Sequence, residues 1–159
     1  MNSTLRFVQV FTLGAWTGSI FYFSAAVAPG AFRELANADQ AGSVVSFTLG
    51  RLHLIGIIAA VLYLLAAMGV AQSLKALARP EIAGVVLMLV LTLFSQQVVT
   101  RKMRALRRQM GSVAATPLSD PSRREFDWLH DVSVDLEGGV MLIGVGALFL
   151  TVRRQANGK

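Results

Sequence analysis

Three stretches of this chain, Phe7–Phe32, Leu52–Leu74 and Ile82–Thr100, contain no Asp, Glu, Lys or Arg at all. Each is about as long as the roughly 20 apolar residues that a helix needs to cross about 30 Å of hydrocarbon. A fourth stretch, Val134–Val152, has similar length but carries Asp135 and Glu137 in its first turn. A chain of 159 residues, 54% hydrophobic and 15% charged, cannot hide four such helices from water. The sequence therefore predicts an all-α integral membrane protein. The expected architecture is a single antiparallel up-and-down four-helix bundle with spans at about 5–28, 52–74, 81–101 and 134–153.

Breakers and caps set the expected boundaries. Pro29-Gly30 should stop the first helix and open a loop of about 20 residues, reaching Gly50 and holding RELANADQ. Ala26-Val27-Ala28 resembles a signal-peptide cleavage site, but Pro29 directly after it and the length of the apolar run favour a retained helix. Helix two should run from near Arg51 to about Lys75. Pro80-Glu81 suits the start of helix three, with a proline in the first turn and an acid near the positive end of the dipole. No breaker follows until Gly111, so helix three should extend beyond the bilayer and carry Arg101, Lys102, Arg104, Arg107 and Arg108 out of it. Asp120-Pro121 should restart the chain as helix four.

The fourth span is short of apolar residues, because only Gly138–Val152 separates Glu137 from Arg153. Spanning draws Glu137, and with it Asp135, below the membrane surface. Intramembrane acids are costly and are functional candidates by default. At about 100° per residue, His130, Ser133 and Glu137 share one face of this helix. Alternating spans put the end of helix one, the start of two, the end of three and the start of four on one side of the membrane. Eight of the nine acids fall there, only Glu81 being elsewhere. The expected site is a one-sided polar mouth of His130, Ser133, Glu137 and Asp135, facing Arg101, Arg51 and the Gln96-Gln97 pair. The competing reading is that these acids reach water or pair with the basic end of helix three.

Other chemistry is thinly marked. His53 and His130 both lie near the mouth and raise a haem b site with two imidazole ligands on facing helices. No metal site is expected, since His130 and Glu137 stand about 10 Å apart along one helix. There is no cysteine, nucleophile elbow, phosphate loop or paired-histidine zinc motif, so no enzyme is expected. The net charge of +6 belongs to the lipid interfaces rather than to nucleic acid. Arg101–Arg108 suits anionic lipid headgroups, or pairing with Asp120, Glu125 and Asp127. Gly14 and Gly18 form a G-x-x-x-G, and Gly56 and Ala60 a similar stripe. Both are expected to pack helices within the bundle, with a homo-oligomer or larger membrane complex as the other use.

The stretches LGAWTGSIFYFSAAVAPGAFREL, VVTRKMRALRRQMG and FDWLHDVSVDLEGG together resemble the transmembrane protein 205-like proteins. These are small four-helix membrane proteins grouped as a domain of unknown function. The resemblance spans nearly the whole chain. It rests most on Gly14 to Gly18 around Trp16, on Pro29, Phe32 and Arg101, and on Phe126, Leu129, His130 and Ser133. Asp135 and Glu137 follow where relatives are expected to carry an asparagine. The resemblance implies a four-helix membrane fold and no settled activity.

The resulting expectation is a non-enzymatic multi-pass protein of a bacterial inner membrane, binding a small polar or ionic ligand or a partner protein at its mouth. A haem b redox protein and a structural subunit of a membrane complex are the alternatives.

Overall fold

The computed structural model describes residues 2–71 and 78–157, and among them it holds four long helices and no strand. They are α1 (Ser3–Glu34), α2 (Ala38–Val70), α3 (Pro80–Met110) and α4 (Pro121–Asn157). With 31 to 37 residues each, they run roughly 46–56 Å. Each therefore crosses the hydrocarbon and projects beyond it. Both α1 and α3 pack against α2 and α4, so the chain winds round a closed antiparallel ring. The bundle expected from the four apolar stretches is what forms.

The core follows from which apolar residues face inward. Leu13, Trp16 and Ile20 of α1 meet Ala60 and Tyr63 of α2, Val85 and Met88 of α3, and Val140 and Ala147 of α4. The outer surface is just as apolar. Phe7, Phe11, Phe21, Leu65, Met68, Leu142 and Phe149 each expose more than half of their surface. A water-soluble bundle would not leave such a coat uncovered, and a lipid bilayer covers it.

Close packing rests on the expected Gly56 and on Gly144, which the sequence reading did not single out. A Cβ at Gly56 would fall inside the Trp16 indole, and one at Gly144 within 2.9 Å of the Met88 methyl and closer still to Thr17. Ala60 is fully buried, as the stripe on helix two requires. Gly14 and Gly18 are a correction. A Cβ at either would meet nothing within 4 Å. The register of α1 is set by Leu13, Trp16, Thr17 and Ile20, whose inward face leaves Gly14 at its margin and Gly18 outside.

Two boundaries also differ from the sequence reading. Pro29-Gly30 does not stop the first helix, which continues to Glu34. Proline lacks the N–H that an α-helix bonds four residues back. The chain accommodates it upstream, where Phe23–Val27 forms a π-turn and the Ala28 N–H bonds to Phe23 O. The loop expected between 29 and 50 shrinks to residues 35–37. Asn37 has extended backbone, and its side chain accepts the Asp39 N–H at 2.8 Å, so α2 starts at Ala38. The expected end of helix two at Lys75 lies outside the described residues.

The other two helices start and stop where capping chemistry puts them. Pro80 opens α3, and Gly111, with φ 73°, ends it in a conformation that favours glycine. Asp120 Oδ1 accepts the Ser122 N–H at 2.7 Å at the start of α4. A second π-turn, Ser95–Val99, interrupts α3.

Candidate functional site

Three polar side chains from three helices meet inside the bundle. His53 of α2 is 1% exposed and Glu137 of α4 is 7% exposed. His53 Nε2 lies 2.5 Å from Glu137 Oε1, and His53 Nδ1 lies 2.7 Å from Gln96 Oε1 on α3. Gln96 belongs to the π-turn Ser95–Val99, whose extra residue resets the direction of the side chains along α3. A carbonyl oxygen only accepts, so Nδ1 carries a hydrogen and donates it to Gln96. The Nε2–Oε1 contact then holds a single proton. It is either an imidazolium beside a carboxylate or a neutral imidazole accepting from a carboxylic acid, and both forms have the same net charge. A paired, hydrogen-bonded acid is far cheaper to bury than a lone carboxylate.

Glu137 is also the floor of a cavity of about 400 Å³ that is lined further out by Ala38 and Asp39 at the start of α2 and by Val113 and Ala114 of the loop after α3. Its walls are mainly apolar, from Phe23, Ala28, Phe32, Val45, Leu49 and Phe126. Ser133, 6% exposed, lies beside Glu137, and Arg104, Arg107 and Arg123 stand nearer the opening. Glu137 Oε2 has no protein donor among the described residues and is open to this space.

Local bonds brace the rim. Asp39 accepts from Ser112 Oγ at 2.5 Å, Val113 N at 2.9 Å and Ala114 N at 3.3 Å. This ties the start of α2 to the loop after α3. Arg123 Nε bonds Asp127 at 2.9 Å, and Arg123 Nη1 donates to Val113 O at 2.7 Å. Arg107 Nη1 donates to Gly42 O at 3.0 Å and Ser46 Oγ at 3.1 Å, with its guanidinium carbon 5.5 Å from the centre of the Phe126 ring.

Residues 11–112 match a family described as a domain of unknown function, DUF4149. The chain belongs to that family. No curated protein and no solved structure matches it. The matched segment holds His53 and Gln96 of the DUF4149 chain, whereas Glu137 lies beyond it.

The structure brings together only part of the expected mouth. Glu137 and Ser133 are buried at the cavity floor, and His130 lines the cavity from an exposed position. Of the partners expected for Glu137, only Gln96 joins the cluster, and it does so through His53. Gln97, Arg101 and Asp135 are exposed and point away from the pair. Arg51 is exposed as well and stacks 5.1 Å above the Phe47 ring. Gln97 stands about 100° round the helix from Gln96, and Asp135 is similarly turned away from the face of Ser133 and Glu137. Lys102 of the basic run pairs with Glu125, as the plainer reading of that run expected. Both ring nitrogens of His53 are occupied, so iron ligation there would require breaking one of these bonds.

Sequence reasoning missed His53 as the partner of Glu137, and it missed Arg107 and Asp39 as rim residues. It also missed a second buried polar group at the opposite end of the bundle. There Glu81, 3% exposed, has Oε1 2.7 Å from Arg154 Nε, and Arg154 Nη2 donates to the buried Gln9 Oε1 at 3.2 Å. Tyr63 and Thr151 share a hydrogen bond of 2.8 Å nearby. The apolar layer of Leu13, Trp16, Ala60, Met88 and Val140 separates the two polar groups.

Proposed function

We propose that this protein is a non-enzymatic membrane protein that takes a small polar or ionic ligand, or the polar group of a partner protein, into the cavity above Glu137. One observation carries the reading. Glu137 is held by His53 through one oxygen and presents the other to the cavity. An acid kept only to close a structural pair would have no reason to sit at the floor of an open space.

Thermal unfolding of the detergent-solubilised chain, titrated with a panel of small amines, polyols and carboxylates, tests this. One class should raise the unfolding temperature of the parent protein, and Glu137→Gln should reduce that rise while leaving the bundle folded. If Glu137→Gln matches the parent against the whole panel, the pair is structural and the reading fails.

Two other readings keep separate tests. Haem b between His53 and His130 predicts a Soret band after haem-replete expression, and the occupied nitrogens of His53 weigh against it. A structural subunit role gains support from Gly14 and Gly18, which leave a smooth face of α1 unpacked. It predicts that Gly18→Leu dissociates an intact membrane complex without unfolding the chain. The resemblance to transmembrane protein 205-like proteins and a bacterial inner-membrane location are held at this same level. So is anionic-lipid attraction to Arg101–Arg108.

A further inference from the structure

We infer that the occupant of the cavity is a single-chain anionic lipid with a free hydroxyl beside the chain, of the lysophospholipid type. The inference rests on the cavity reading above and adds the chemistry of the ligand.

Three arginines and three acids line the cavity, but they are not all paired with one another. Each acid already has a partner: Asp39 accepts from Ser112 and two backbone N–H groups, Asp127 accepts from Arg123, and Glu137 shares one proton with His53 through one oxygen. Arg104 and Arg107 form no direct ion pair among the described residues, although the charge of Asp39 still acts on Arg107. Arg107 donates to a carbonyl and a hydroxyl, which are neutral acceptors. Arg104 lines the cavity, is exposed, and has no acceptor among the described residues. The two lie three residues apart on α3, so their guanidinium groups serve one face. A phosphate between them would meet the planar donor geometry for which arginine is suited.

Beside Phe126, against which Arg107 lies, the walls turn apolar with Phe23 and Leu49, and then polar again at Ser133 and Glu137. A hydroxyl donating to the free Oε2 satisfies that lower end. The cavity also has a side wall at bilayer depth. Ser24, within the π-turn of α1, and Val134 of α4 both line it and both are exposed. Ser24 belongs to an uncharged stretch that lies among lipid tails, and Val134 opens the fourth apolar stretch, next to the exposed Asp135. A chain leaving between them enters the bilayer with its head towards the interface, which is the ordinary orientation of a lipid. At about 400 Å³ the space is near the lower end of ligand cavities. That admits one head and the root of one chain, not a two-chain lipid drawn in whole.

The test is equilibrium binding of radiolabelled oleoyl lysophosphatidate to the full chain in nanodiscs of zwitterionic lipid, with three competitors. Unlabelled oleoyl lysophosphatidate should compete, while monooleoylglycerol, which lacks the charge, and glycerol phosphate, which lacks the chain, should compete at least about tenfold less well. Arg104→Gln should weaken binding by roughly tenfold or more, and Arg108→Gln, outside the cavity, should not. Equal competition by monooleoylglycerol, or unchanged affinity in Arg104→Gln, overturns the anionic head. Equal competition by glycerol phosphate shows a soluble anion and overturns the lipid. Any of these results leaves the cavity reading standing so long as Glu137→Gln changes binding of the competing species. Loss of effect in Glu137→Gln throughout sinks both.

Discussion

A lone carboxylate at the depth of Glu137 would be costly in lipid, about 2.5–3.5 kcal/mol for an acid at a helix centre. The bond to His53, itself fixed by Gln96, converts that charge into a neutral pair. Removing one member should therefore cost more than removing both. His53→Ala is expected to lose about 3 kcal/mol of stability by leaving the acid without its partner, and the double variant His53→Leu/Glu137→Leu distinctly less. Unfolding in mixed detergent micelles measures the cycle, and additive losses would show that the two side chains do not interact. Gly56 should be equally sensitive for a steric reason. Gly56→Leu drives a side chain into the Trp16 indole and should cost at least about 1–3 kcal/mol. Gly14→Ala, with open space around it, should be nearly neutral in the same assay. The contact of His53 with Glu137 was within reach of the sequence. His53 stands 17 residues before Val70, Gln96 16 after Pro80 and Glu137 20 before Asn157, which places all three about 24–30 Å from the opposite end. What depth alone does not give is helix rotation. That left Gln96 and Gln97 indistinguishable and made Arg51 and Arg101 look as close as His53.

The π-turns decide those rotations. Each adds a residue to a helical turn, and the sequence shows no repeat or breaker that marks Ser95–Val99. Pro29 does mark Phe23–Val27, but a proline followed by glycine reads more simply as a stop than as a bulge six residues upstream. The helical start at Ala38 was similarly obscured, because the polar run RELANADQ looks like a loop until Asn37 is recognised as a cap. Deleting Val98, which is 48% exposed within the second π-turn, should return α3 to regular α-geometry. Everything beyond it would then turn by about 100° and shift by about 1.5 Å. The deletion would pull Arg107 from Gly42 and Ser46 and carry Arg104 off the cavity. The unfolding temperature should fall, and it should fall less when the deletion is made in an Arg107→Gln background, since the lost contact is shared. Equal losses in both backgrounds would mean that the π-turn does not set the position of the basic end of α3.

Across the whole molecule the two membrane faces are built differently. One end is an open cavity with a braced rim, and the other is closed by Glu81, Arg154 and Gln9 around apolar packing. The asymmetry extends to the basic residues that orient membrane proteins. Among the described residues, nine Lys or Arg lie towards the cavity end (33, 51, 101, 102, 104, 107, 108, 123 and 124) and four towards the other (6, 79, 153 and 154). Acids contribute little to this rule, so their concentration at the cavity end does not reverse it. The cavity is therefore expected to face the cytoplasm, with both termini on the far side. The absence of native cysteine makes the measurement clean. A single cysteine at Ser112 should resist a membrane-impermeant maleimide in intact cells and react once the membrane is opened, while one at Asn2 should react from outside. The reverse labelling would put the cavity on the outer face. In that case the positively charged rim would be set by ligand recognition rather than by insertion.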